Sequence, residues 1–246
     1  MKRERLDKLL VDRGTLASRE RARRLIMAGA VRVDDRVVDK PGTLVGVDAP
    51  IAVTGDDIPF VSRGGLKLAS ALDAFATPVA GRAALDVGAS TGGFTDCLLQ
   101  RGARSVTAVD VGYGQFAWSL RQDARVTLLE RTNVRELNPA MLPVVPDLAV
   151  IDVSFISLRL VLPPVVSALA PGGDILPLVK PQFEVGKGQV GGGGVVRDPS
   201  LHRAAVASVR DYALALGLAC LGEFASPVLG PKGNREFFLA LRTPPG

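Results

Sequence analysis

The sequence predicts an open, largely parallel α/β sheet preceded by a small, basic α+β unit. Three observations lead there. From residue 82 onward, short apolar strands alternate with helix-like stretches, the pattern of a doubly wound sheet with helices on both faces. The net charge of +5 is confined to the front of the chain: residues 1–40 hold 12 Lys+Arg against 7 Asp+Glu, and the remainder holds 18 against 18. Between the two patterns lies "GDDIPFVSRGG" (55–65), an acidic, proline-containing stretch suited to a linker. We therefore expect one domain at 1–59, a linker at 60–63 and a second domain at 64–246.

The elements follow in order. In "RLDKLLVDRG" (5–14), Leu6, Leu9 and Leu10 share a helical face and Gly14 can end the helix. Ser18 reads as the N-cap of "RERARRLIMAG", whose stripe is Ala22, Leu25, Ile26 and Gly29. Arg19 and Arg23 lie one turn apart on another face. Short β-like pieces follow at "AVRVDDRVV" and "APIAVTG", with the turn "KPG" (40–42) between them. Further on, strands are expected at 83–87, 105–110, 126–130, 147–152, 174–179, 218–225 and 236–241. Helices are expected at 157–169 and 199–216.

Composition narrows the function. A hydrophobic share of 47% with 22% charged residues describes a globular chain. Cys97 and Cys220 lie far apart without metal-ligand spacing, and His202 is the single histidine. No metal site, no disulfide framework and a reducing cytoplasm are the expectations. The charged start "MKRERLDKLL" is not a secretory signal, and no apolar run reaches the length of a membrane span. The two cysteines read as small core residues, and His202 as a surface residue.

The turn "DVGASTGG" (86–93) joins the first strand of the large domain to a helix, but its glycines are not spaced as in a dinucleotide fingerprint. Asp110 ends the next strand about 20 residues on, where a carboxylate can accept from ribose hydroxyls. No Walker lysine follows the turn. An adenosine ligand without phosphates, such as S-adenosylmethionine, fits better than NAD or ATP. Asp152 and Lys180 both end predicted strands, Lys67 opens the helix after the linker, and Glu236 begins the last strand. A lysine at the end of a buried strand has no role in the core, so its chemistry needs explaining.

The N-terminal segments "RLDKLL", "SRERARRLI" and "VRVDDRVVDKPG" resemble the S4 RNA-binding domain over about residues 3–58. That resemblance implies RNA contacts, for which Arg3, Arg5, Arg19, Arg23, Lys40 and Arg63 are candidates. The order Lys67, Asp152, Lys180, Glu236 resembles the tetrad of the FtsJ-like RNA ribose 2′-O-methyltransferases, which share a Rossmann-like fold. With "SRGGLKL", "DVGASTGGFTDCLL", "AVDVGYGQFAWSLR", "ERTNVREL", "SFISL" and "VKPQFEVGKGQVG", nearly the whole chain resembles the TlyA family of rRNA 2′-O-methyltransferases, also called haemolysin A. One departure is Phe60, where longer members often carry tryptophan.

The resemblance implies methyl transfer from S-adenosylmethionine to a cytidine 2′-hydroxyl of ribosomal RNA, naked or in a ribosomal subunit. The chain resembles shorter members that act on 23S rRNA alone, with 16S as the further target of others. It implies a cofactor site of Asp86, Gly88, Ala89, Ser90, Thr91, Gly92, Gly93 and Phe94 at the methionine end. Asp110 and Val111 would take the ribose, Asn133 and Val134 the adenine, and Asp152 would stand near the methyl. The segment 182–197 reads as a lid or as a plain surface loop. Three rivals compete: a membrane-damaging protein, a non-catalytic RNA-binding protein, and a pseudouridine synthase. The first lacks an amphipathic basic surface helix or a span, the second has no need of the tetrad, and the third has no use for the adenosine turn.

Overall fold

The computed structural model describes residues 2–16, 18–27, 29–53, 58–186 and 188–246. Packing divides the chain into two compact units, Met1–Leu66 and Lys67–Gly246. Of the stretch 55–65, residues 55–57 lie outside the described residues; the division falls just beyond the expected linker at 60–63, within the helix that follows it.

In the first unit, strand β1 (Arg3–Arg5) runs directly into helix α1 (Leu6–Asp12), and helix α2 (Arg19–Met27) packs on it. Ser18 caps α2 as its sequence suggests, its Oγ accepting from Arg21 N at 3.2 Å. The two helices bury Leu6, Leu9, Leu10, Ala22, Leu25 and Ile26 against Val31, Val33 and Val45. Strands β2 (Val31–Val33) and β3 (Arg36–Val37) form a hairpin. Its two turn residues, Asp34 and Asp35, both take positive φ, which matches the right-handed twist of the paired strands. Strand β4 (Leu44–Gly46) pairs with β1, and β5 (Ile51–Val53) with β2, all antiparallel. The pairing of β1 with β4 was not legible in the sequence: three-residue strands are too short to show a period of two.

The chain enters the second unit through α3 (Gly64–Ala74). There follow β6 (Ala83–Val87), α4 (Gly93–Gln100), β7 (Ser105–Val109), α5 (Trp118–Arg121), β8 (Val126–Leu129) and β9 (Leu148–Ile151). Then come α6 (Leu158–Ala168), β10 (Asp174–Val179), α7 (Pro181–Glu184), α8 (Pro199–Ala215), β11 (Ala219–Ala225) and β12 (Phe237–Arg242). The seven strands form one sheet in the order β11-β12-β10-β9-β6-β7-β8. Five of them, β10, β9, β6, β7 and β8, pair in parallel; β12 inserts antiparallel between β10 and β11, so six of the seven run in one direction.

Side-chain alternation explains the two covered faces. Ala149, Ile151, Ile175, Val179, Leu239 and Leu241 meet α6 and α8 through Val161, Leu162, Val165, Val206 and Val209. Phe238 points the other way and stacks with Phe94 of α4, ring centroids 6.1 Å apart. The central strands are apolar on both faces because both are buried. Strand order changes direction at β6, so the carboxyl ends of β6 and β9 open a crevice there, the usual ligand position in such sheets.

His202 departs from its expected surface place. It is 8% exposed, its Nε2 bonds to Val196 O at 2.8 Å, and its ring lies 5.7 Å from that of Phe237. The segment before α8 folds back over it, an arrangement that local sequence does not reveal. Cys97 is buried as expected and Cys220 is only half-buried.

Candidate functional site

At the carboxyl end of β6 the chain must turn sharply past the end of β9. Gly88 takes φ +85°, and a Cβ there would stand 2.5 Å from Asp152 O. Glycine is therefore required twice over, by backbone angle and by close approach. Ser90 also takes positive φ, and its N–H donates to Asp110 Oδ2 at 2.7 Å. Asp110 Oδ1 accepts from Gly112 N at 2.6 Å. The carboxylate thus ties the turn after β6 to the turn after β7. With one N–H on each oxygen, it keeps lone pairs for a further donor.

These turns border a cleft of about 540 Å³. Of the residues expected at a cofactor, Gly88, Ser90, Asp110, Val111, Asn133, Val134 and Asp152 line it. Ala89, Thr91, Gly92, Gly93 and Phe94 do not; they form the turn behind it and the start of α4. Asp86 lies below the turn, fully buried. Thr95 Oγ1 donates to its Oδ2 at 2.6 Å, and Oδ1 has no hydrogen-bond partner among the described residues. Burial, with the nearby carboxylates Asp152 and Asp110, pushes its carboxyl up to about 7 against the pull of Thr95.

The cleft also contains residues that the sequence did not single out. Ser154, Phe155, Thr132 and Arg135 line it. Phe155 takes φ +63°, is 91% exposed, and lies 5.0 Å from the Phe183 ring. A large aromatic held in a left-handed conformation with its face in solvent is costly in a core-building sense. The signal was present in "DVSFISL", where an aromatic stands four residues past the end of β9. Next in sequence to the lining residues Gly112 and Thr132, Arg131 stacks over Tyr113, 4.2 Å from the ring centroid.

Lys67, Asp152, Lys180 and Glu236 form two ion pairs. Lys180 Nζ stands 2.6 Å from Asp152 Oδ1 and donates to Ser154 Oγ at 2.9 Å. Lys67 Nζ donates to Glu236 Oε2 at 2.6 Å across 169 residues of sequence. Strand register links the pairs: Val179 faces Phe237 across β10 and β12, so Lys180 and Glu236 occupy the next facing positions. Lys67, Lys180 and Glu236 are all buried, at 7%, 8% and 1% exposure. Three buried charged groups contribute little to stability, since desolvation costs several kcal/mol per ion and pairing at best offsets it. Gly230 makes room for the glutamate: a Cβ on it would come within 2.0 Å of Glu236 Oε1.

The first unit has its own polar centre. Asp7 is fully buried, and Arg5, Arg19 and Arg23 all converge on it. Burial would raise its carboxyl, but the three guanidiniums outweigh that and hold it well below the usual range. Arg3 donates to Leu44 O at 2.6 Å, Lys40 is exposed and Arg63 is half-buried.

Comparison with known proteins decides the family. The profile of the FtsJ-like methyltransferases matches residues 60–243, and that of the S4 domain residues 4–51. The chain belongs to the FtsJ-like methyltransferase family. Within that family it belongs with the TlyA proteins. A 16S/23S rRNA (cytidine-2′-O)-methyltransferase TlyA of Mycobacterium tuberculosis is 55% identical over 98% of this chain and 91% of its own length. A 23S rRNA (cytidine-2′-O)-methyltransferase TlyA of Campylobacter jejuni is 34% identical over 73% of this chain and 69% of its own. A solved structure of a hemolysin-named protein from Streptococcus thermophilus superposes with TM-score 0.79 at 43% identity, over 99% of this chain and 90% of that one.

As an FtsJ-like family member, this protein is an S-adenosylmethionine-dependent methyltransferase. Its own residues fit that cofactor. The cleft has the volume of a nucleoside-sized ligand, a glycine turn lets backbone approach, and Asp110 has capacity for ribose hydroxyls. The orphaned Asp86 Oδ1 lies under the turn expected at the cationic end. Among the described residues no group of three or more His, Cys, Asp or Glu is placed to hold a metal. No helix among them is long and apolar enough to cross a membrane.

Proposed function

We propose that this methyltransferase modifies the 2′-hydroxyl of a cytidine in ribosomal RNA, in the cytoplasm, with Lys67, Asp152, Lys180 and Glu236 as its catalytic group. The observation that carries the reading is the Lys180–Asp152 pair at 2.6 Å, at the edge of the cofactor cleft. S-adenosylmethionine supplies a methyl group made electrophilic by its sulfonium.

The chain's task is to hold a poor nucleophile, a neutral ribose hydroxyl, in line with that methyl. Proximity and alignment contribute much of the rate in such a transfer. Lys180 Nζ has three N–H donors. One donates to the Ser154 hydroxyl, and the amine lies 2.6 Å from Asp152 Oδ1 as an ion-pair contact, leaving donor capacity for the 2′-oxygen. The carboxylate and the hydroxyl fix the amine beside the cleft, and we assign Lys180 to stabilising the 2′-oxygen as negative charge develops on it. Glu236, held by Lys67, completes the polar wall beside it in the β10–β12 register. Phe155, at the cleft mouth, offers an aromatic face on which an unstacked base can lie.

The 55% identical relative is named for both 16S and 23S rRNA. The 34% identical relative is named for 23S alone. The 23S target is common to both names. Mass mapping of 2′-O-methylated cytidines in 16S and 23S rRNA, with and without the gene, tests the reading. Loss of methylation at one or more cytidines is expected, and unchanged maps in both rRNAs would refute it. Lys180→Ala should lower methylation at least ~10²-fold, the scale for removing one charge-stabilising donor, with cofactor affinity retained in calorimetry.

A further inference from the structure

The sequence marks Arg5, Arg19 and Arg23 as candidates for RNA contact; the structure shows that they share one counter-ion. Arg5 grips Asp7 with both prongs, Nε to Oδ1 at 3.0 Å and Nη2 to Oδ2 at 3.1 Å. Arg19 Nη2 and Arg23 Nε reach Oδ2 at 2.9 and 3.1 Å. The carboxylate has no exposed surface, while the three arginine side chains remain 44%, 49% and 53% exposed.

We infer that Asp7 is a positioning residue for RNA docking, holding three guanidiniums as one preformed phosphate-binding surface. This rests on the reading that the S4-like unit docks the RNA. Each guanidinium has five N–H donors in a planar fork. One or two of them anchor to Asp7, and the outward edge stays available to phosphodiester oxygens, which arginine can take bidentately. Free arginines at the same positions would each have to be immobilised on binding, and that ordering reduces affinity. Three positive charges around one negative keep the cluster cationic. Its geometry comes from two elements of known range: Arg5 ends β1, and Arg19 and Arg23 sit one turn apart on α2. An exposed carboxylate among RNA-binding arginines would repel phosphate; a wholly buried one orients its partners behind a screen of guanidinium.

The inference makes a prediction opposite in sign to that of net charge. Asp7→Asn adds one positive charge, so simple attraction predicts tighter binding to RNA. Loss of preorganisation predicts weaker binding, and we expect a roughly tenfold rise in Kd for 23S rRNA transcripts and purified large subunits. The slope of log K against log salt should not become shallower, because no cation is removed. Thermal unfolding checks that the variant is folded at the assay temperature. If it is not, Arg19→Lys supplies the test: charge is kept, the fork is lost, and affinity should fall with the slope unchanged. Affinity equal to or tighter than wild type in the folded variant overturns the inference. The combined Arg19→Ala and Arg23→Ala variant separates the underlying reading: if affinity and slope both stay unchanged, the S4-like unit is not the docking surface, and the role of Asp7 falls with it.

Discussion

At the scale of single residues, two glycines carry information usually credited to the charged groups beside them. Gly88 lets the end of β6 pass Asp152, and Gly230 leaves the space that the Glu236 carboxylate fills. Gly230 does not line the cofactor cleft, so Gly230→Ala separates catalysis from binding. Displacing a carboxylate by about an ångström can cost on the order of 10²-fold in rate. We expect methylation to fall about 10–10²-fold while S-adenosylmethionine affinity by calorimetry stays within a factor of two or so. Equal loss of both would mean that the glycine serves the fold and not Glu236. Asp86 gives a second residue-scale outcome. Its carboxyl titrates near 7 when folded and near the ordinary 3.8 when unfolded. Between those values the folded state holds the extra proton, so rising pH costs stability from about pH 4 to about pH 7 and no more above that. Asp86→Asn should abolish that part of the pH dependence, gaining on the order of 3 kcal/mol relative to wild type at pH 8 over pH 4. Urea unfolding of the cofactor-free proteins at the two pH values measures it, and parallel profiles would reject the assignment.

At the scale of elements, the segment before α8 is more tied down than a glycine-rich stretch suggests. Asn234, 2% exposed, accepts from Val196 N at 3.1 Å and donates to Gly194 O at 3.0 Å. Gly191 bridges back to Val195. Lys187, in the same segment, lies outside the described residues. Asn234→Ala would strand a buried N–H, a cost of about 1–3 kcal/mol. We expect faster amide exchange confined to residues around 191–197 and a small drop in Tm; uniform protection would show that the strap holds by other means. This element also shows where sequence stops being informative. The strands at 83–87, 105–109 and 174–179 were legible because burial on both faces writes itself as short apolar runs. That Gly88 and Asp110 border one cleft followed from the turn and the next strand end, which place them together. The Lys67–Glu236 pair was legible only as an ordered list of charges, since no local pattern joins residues 169 apart. The sequence did not single out Asp7, and His202 read as a surface residue. Both are buried by partners from other elements, which no window of sequence contains.

At the scale of the whole molecule, the charge separation noted in the sequence becomes a division of labour. The basic excess lies within the first unit, and the candidate cofactor cleft is lined wholly by residues of the second. Each unit has its own buried core, so a surface change in one should leave ligand affinity in the other intact. Testing this by charge reversal at Arg19 or Arg23 would be confounded, because a glutamate there would face the buried Asp7 and destabilise the unit. Arg3 and Lys40 are better probes: both are exposed, and neither is among the partners of Asp7. Replacing both with glutamine removes two cations without burying a charge. If both contact phosphates, the slope of log K against log salt for rRNA should become shallower by about 0.7–0.9 per contact. The affinity loss should then be largest at low salt and shrink as salt rises, because screening already weakens these contacts at high ionic strength. Affinity for S-adenosylmethionine should be unchanged in the same protein. An unchanged slope would remove Arg3 and Lys40 from the docking surface, while a matching loss of cofactor affinity would show that the two units do not act as separable binding bodies.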